Sequence, residues 1–136
     1  MSKIKKFEDL KVWRDSIAVG VRVYRLCTVG KLARDFGAMD QLRRSAASIS
    51  NNIAEGFEYN SNKAFIKYLK YSKGSAGELR SNLFLLKEAE VIDCDNYESL
   101  RRELIEISAE LEGFIRYLRR FEGKKETADG NRQNRS

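Results

Sequence analysis

Gln41-Leu-Arg-Arg-Ser-Ala-Ala-Ser-Ile-Ser-Asn-Asn-Ile-Ala-Glu-Gly56 is the stretch whose reading decides the fold. Leu42, Ala46, Ile49 and Ile53 recur at steps of 4, 3 and 4, which places them on one face of an α-helix. The opposite side is polar and partly cationic, with Arg43 and Arg44 at its start and Asn51 and Asn52 near its end. Ser45, Ala46, Ala47 and Ser48 are small, so a second helix can approach closely over them. The stretch is therefore a bundle helix with its apolar face inward. Two readings of its polar side stay open: a solvated back, or a surface on which the Arg or Asn pair touches a partner.

The same alternation of 4 and 3 continues C-terminally. Phe65, Leu69, Ser72, Ala76, Leu79, Leu83 and Leu86 form the seam of a third helix, capped by Ser61 or Asn62. Gly74 and Gly77 lie inside it, each costing roughly 1 kcal/mol against alanine. Close packing of another backbone, with helix two as the nearest candidate, would offset that cost; a break in the helix is the alternative. Lys63, Lys67 and Lys70 lie nearly opposite the seam and point outward. A fourth helix follows with Leu100, Leu104, Ile107, Leu111, Phe114, Leu118 and Phe121. Asp95 and Glu98 make its capping box, and Gly123 ends it. Lys124 to Ser136 contains a single alanine and no other apolar residue, the composition of a disordered tail.

N-terminally, the spacing predicts a first helix from near Phe7, with Gly30 beyond its end. Leu10, Trp13, Ile17, Val21 and Tyr24 form its core stripe. A second stripe, Lys11, Arg14, Ala18, Arg22 and Arg25, lies about 110° round the helix, at 100° per residue. Asp35 caps helix two. The fold class is thus all-α: an antiparallel, up-down-up-down four-helix bundle. Residues 1–6 form a basic arm, 7–122 the bundle and 123–136 a disordered polar tail. Ile66, Tyr68, Tyr71, Phe84, Leu85, Ile105, Ile115 and Tyr117 fall outside the strict seams. That surplus exceeds what a widened core face needs and predicts self-association.

Composition excludes several functions. The 136 residues include no proline, which favours long helices. No apolar run approaches the roughly 18–20 residues that span a bilayer, and nothing reads as a signal peptide, so a cytoplasmic protein is expected. With no histidine, Cys/His metal sites and His-dependent triads are impossible. Cys27 and Cys94 read as packing residues. Glu55 and Glu78 lie on neighbouring helices, with Arg43, Arg44 and Arg80 as simpler partners than a substrate. No catalytic residue, metal or cofactor is expected. The net charge of +6 is uneven: residues 1–87 carry 17 Lys/Arg against 8 Asp/Glu, and residues 88–136 carry 9 against 12. A polyanion should meet the first three helices.

Several short motifs also point to a family. Phe7-Glu-Asp-Leu-Lys-Val-Trp13, Gln41-Leu-Arg-Arg, Ser48-Ile49, Asn52-Ile-Ala-Glu-Gly56, Gly74-Ser75 and Glu78-Leu79 together resemble the bacterial four-helix-bundle proteins encoded in intervening sequences of large-subunit ribosomal RNA genes. The chain departs from their pattern at Asp35-Phe36-Gly37, where a proline is common, and at Ser72 before Lys73, where an alanine is common. The resemblance implies a barrel-like homopentamer with a basic surface. The structurally related accessory variability protein of diversity-generating retroelements binds its reverse transcriptase and nucleic acid, which suggests a mode of action here.

The leading expectation is a non-enzymatic oligomer that binds nucleic acid, RNA in preference to DNA, through phosphate neutralisation. Its candidate contacts are Lys11, Arg14, Arg22, Arg25, Arg43, Arg44, Lys63, Lys67 and Lys70. Tyr59, Tyr68 and Tyr71 stand near the last three lysines and could stack on unpaired bases or pack in a core or interface. The second reading is a protein–protein adaptor, or an accessory subunit of a nucleic-acid enzyme, whose basic surface meets an acidic protein partner.

Overall fold

A computed structural model describes the backbone of residues 4–133 and the side chains of residues 4–121. Among the described residues there is no strand. The chain forms four helices: α1 (Lys11–Leu26), α2 (Phe36–Glu58), α3 (Asn62–Glu88) and α4 (Cys94–Gln133), with single 3-10 turns at Phe7–Asp9 and Leu32–Arg34. No helix in this part is long and apolar enough to cross a membrane.

Helix starts follow local chemistry. The Asp35 carboxylate accepts the Ala38 N–H at 3.1 Å, and the Ser61 hydroxyl accepts the Ala64 N–H at 3.4 Å, satisfying donors that an unprotected first turn leaves free. At α4 the cap is Asp93 rather than Asp95. Asp93 Oδ2 accepts the Asn96 N–H at 3.0 Å, and its Oδ1 accepts from the Asn96 side chain at 2.6 Å. The helix begins at Cys94, so Asp95 already lies in the first turn. α1 stops at Leu26, and Gly30 supplies a left-handed residue at φ +63° in the connection that follows. α4 continues past Gly123, where its periodicity ends. The side chains of residues 122–133 and all of residues 134–136 lie outside the described part, as do residues 1–3 of the expected basic arm. Of the disordered polar tail expected over 123–136, the backbone of 123–133 continues α4 as helix, and only its side chains and residues 134–136 fall outside.

Each helix packs on the next, and α4 closes back on α1. Contacts between α2 and α3 run antiparallel: Gly56 meets Phe65 and Tyr68, and Ser48 bonds Ser75 at 2.8 Å. The same sense holds between α3 and α4, from Phe65–Phe114 to Phe84–Tyr97. It holds between α1 and α4 as well, from Lys11–Glu110 to Arg22–Glu103. The centre is apolar, with Leu42, Ile49, Ile53, Leu69, Leu79, Leu83, Leu104 and Leu111 fully buried. The buried polar side chains are serines, and each finds a carbonyl: Ser16 bonds Val12, Ser45 bonds Gln41, Ser50 bonds Ala47 and Ser72 bonds Ile49.

Two expectations are corrected. The core face of α1 is Val12, Ser16, Val19, Val23 and then Cys27. Of the stripe predicted to be core, Leu10 is buried and Trp13 packs against the core, but Ile17, Val21 and Tyr24 are 38%, 42% and 50% exposed. Ser16 disguises the true face in the sequence, and its hydroxyl donates back to the Val12 carbonyl at 2.7 Å, so it can be buried. Secondly, α3 is unbroken, yet no backbone packs on Gly74 or Gly77, since a Cβ at either would meet nothing within 4 Å. Close approach to α2 runs instead through Ser72, Ser75 and Gly56. The surplus apolar set divides as expected between a widened core face and the surface. Ile66 and Ile115 are core, Tyr68 is half-buried, and Tyr71, Phe84, Leu85, Ile105 and Tyr117 are exposed.

Candidate nucleic-acid interface

The cationic stripe of α1 does not stand free. Its side of the helix faces α4, whose outer turns carry Glu103, Glu106 and Glu110. Lys11 donates to Asp15 at 2.6 Å and to Glu110 at 2.9 Å, and these bonds raise its pKa above the ordinary lysine range. Burial pushes the Glu110 carboxyl up, with Lys11 pulling against it. Burial pushes the Asp15 carboxyl up, but the hydrogen bonds with Lys11 and Glu110 and the nearby positive charges together hold it low. Arg22 pairs with Glu103 at 2.8 Å. Arg14 serves the fold, donating to the carbonyls of Glu8 and Asp9 at 3.3 and 3.0 Å and holding the N-terminal 3-10 turn. Arg25 has no ion pair among the described residues.

Exposed ion pairs contribute only about 0–1 kcal/mol, so pairing alone would not withhold these cations from phosphate. The local balance of charge does. The α1–α4 cleft holds Lys11, Arg22 and Arg25 against Asp15, Glu103, Glu106 and Glu110, a charge balance that weakens its pull on a polyanion.

The arginine pair of α2 splits. Arg44 points to solvent and pairs with Asp40 at 3.0 Å, not with Glu55 or Glu78. Arg43 is half-buried, its guanidinium 5.3 Å from the centre of the Tyr24 ring. Burial raises the pKa of the neighbouring Cys27 thiol, and Arg43 works against that shift.

The lysines of α3 are placed differently. Lys63, Lys67 and Lys70 lie on its outer side and share a shallow cleft with Arg119 of α4, walled by Ile66 and Tyr71. Among the described residues, no carboxylate lines it. The antiparallel packing of α3 on α4 brings Arg119 there, joining the start of one helix to the late turns of the other. Sequence periodicity missed Arg119. The signal was available, because Arg116, Arg119 and Arg120 cluster where α4 must pass the start of α3.

Aromatic residues border these cations. Tyr59 and Tyr68 stack with centroids 5.2 Å apart and planes 12° from parallel. Tyr71 meets Tyr68 edge-on at 5.7 Å. The Lys67 ammonium lies 5.9 Å from both the Tyr68 and Tyr71 rings, within cation–π range. The hydrogen bond from Tyr68 to Tyr59, followed by burial and the Glu55 charge, pushes the Tyr68 phenol up to about 12, so it stays neutral. Tyr59 and Tyr71 keep about half their surface exposed, with one face of Tyr59 covered by Tyr68. Among the described residues, no group of His, Cys, Asp and Glu could hold a metal ion.

A family model described as 23S rRNA-intervening sequence protein matches residues 8–113. Among solved structures, the chain is similar to a protein of unknown function from the S23 ribosomal protein family of Bacteroides thetaiotaomicron. The two are 30% identical with a TM-score of 0.70, covering 76% of this chain and 97% of that one. No protein of curated function matches.

Proposed function

The chain belongs to the 23S rRNA-intervening sequence protein family, and from that premise we propose that it is a non-enzymatic, self-associating nucleic-acid-binding protein whose contact surface is the lysine face of α3. One observation carries this reading: Lys63, Lys67, Lys70 and Arg119 converge on a cleft that no carboxylate lines among the described residues. Such a cleft attracts phosphates, and its affinity comes from displacing their counterions rather than from reading bases. The half-exposed rings of Tyr59 and Tyr71 offer stacking to unpaired bases. The family description names 23S rRNA, so RNA is the first nucleic acid to test. Self-association is supported by the exposed apolar residues of α1, α3 and α4, and the pentamer is what the family resemblance implies.

Charge reversal tests the surface. Lys63→Glu, Lys67→Glu and Lys70→Glu together should abolish binding of a short unstructured RNA while the helical circular dichroism is retained, because exposed substitutions change stability little. The same reversal at Lys11 and Arg22 should weaken binding far less. Protein purified from cells should also carry nucleic acid, visible as a raised 260/280 absorbance ratio. Clean protein whose RNA affinity ignores the α3 lysines would reject the proposal and favour an adaptor that binds an acidic protein.

A further inference from the structure

Three surface features find no partner within one chain. The first is the groove between α1 and α2. Ile17, Val21, Tyr24 and Ala47 line it together with Arg25 and Arg43, and no carboxylate among the described residues is present. The Arg43 Nε is shut off from solvent and has no hydrogen-bond acceptor. A buried charged donor left in that state is costly, so the groove is incomplete without an acceptor.

The second feature is the pair of helix-weakening glycines in the middle of α3. A Cβ at Gly74 or Gly77 would meet nothing, so packing within the chain gives no reason for either. The third is Glu78, which is exposed and has no ion pair among the described residues, with Leu85 64% exposed two helical turns beyond. Gly74, Glu78, Ser81 and Leu85 follow at steps of 4, 3 and 4. They therefore form one outward strip of α3, separate from its core seam.

We infer that this strip on one copy of the chain seats in the α1–α2 groove of a second copy, with the Glu78 carboxylate accepting from the Arg43 guanidinium. The two surfaces complement each other in charge and in shape. The groove supplies only cations and the strip supplies the acid. Gly74 and Ser81 let a helix approach the groove floor, where Gly20, Ala46 and Ala47 are also small. Leu85 would cover apolar wall that one chain leaves wet. Groove and strip are different parts of the same molecule, so the contact is heterologous. It repeats from copy to copy and closes as a ring when the rotation allows. The inference rests on the reading of the chain as self-associating and names the surfaces responsible.

Light scattering on the full chain tests it, with circular dichroism confirming that each variant is folded. The parent at micromolar concentration should be a multimer. Arg43→Glu or Glu78→Arg alone should lower the mass at the same concentration, weakening assembly at least tenfold, and the two together should restore it. Leu85→Glu, exposed in a single chain, should fold normally and fail to assemble. If Arg43→Glu does not fold, Glu78→Arg and Leu85→Glu decide. Folded Glu78→Arg and Leu85→Glu variants that keep the parent mass overturn the inference, as does a charge-swapped pair that stays dissociated when both single variants fold. A monomeric parent overturns the self-association reading itself, and RNA binding through the α3 lysines is measured independently of either.

Discussion

A methyl group added at Gly56 would stand 2.7 Å from the Tyr68 Cβ and 3.1 Å from the Phe65 Cδ1, and the first contact is too close to be relieved without moving α3. Gly56→Ala should therefore destabilise the protein by about 1–3 kcal/mol, the usual cost of overpacking, as read by urea denaturation. A change below ~0.5 kcal/mol would mean that α2 and α3 do not cross there. The sequence places Gly56 where helix two nears its end, and α2 does end at Glu58. Nothing in the periodicity shows that the same glycine is a contact point, since that depends on which turn of α3 lies opposite. The cysteines separate on burial. Cys27 is enclosed and Cys94 exposed, and burial holds the Cys27 thiol above its ordinary pKa despite Arg43. A thiol reagent should modify Cys94 in the native protein and reach Cys27 only after unfolding; equal labelling rates would contradict the buried placement.

Helix α1 shows where periodicity alone misleads. Two stripes compete in it, and the bulkier one, with Ile17, Val21 and Tyr24, faces outward. The buried one contains a serine whose satisfied hydroxyl no hydrophobicity pattern reveals. In α2, α3 and α4 one stripe dominates, and there the core was legible almost residue by residue, from Leu42 to Leu118. The core face of α1 predicts that Val19→Ala costs roughly 2 kcal/mol and Val21→Ala little, as compared by chemical denaturation; the reverse order would return the core to the outer stripe. At the start of α4, hydrogen bonds from the Asn96 side chain and N–H hold the Asp93 carboxyl below the usual carboxylate range. A depressed folded-state pKa stabilises above the unfolded value near 4 and loses that contribution as pH falls through the folded value. Asp93→Ala should therefore lower the melting temperature at neutral pH and converge with the parent in acid. Parallel curves down to pH 2 would remove Asp93 as the cap.

Across the whole molecule, the candidate site was legible in part, and charge balance decides which part. The lysines of α3 could be read from sequence because they lie opposite a clean seam. The α1 stripe looked equivalent, and only the antiparallel return of α4 shows that Glu103, Glu106 and Glu110 lie beside it. Arg119 was hidden by the same long-range register that carries it to Lys63, Lys67 and Lys70. The most direct test of the α3 surface is the salt dependence of binding to single-stranded RNA, measured by fluorescence anisotropy. The parent is compared with a Lys63→Gln, Lys67→Gln, Lys70→Gln variant and with a Lys11→Gln, Arg22→Gln control. Each phosphate contact contributes about 0.7 to the log–log slope. The α3 variant should therefore lose a slope of about 2 per bound protomer while the control keeps the parent value. An unchanged slope in the α3 variant, or a loss confined to the α1 control, would contradict the assignment of the α3 lysine face as the RNA-binding surface.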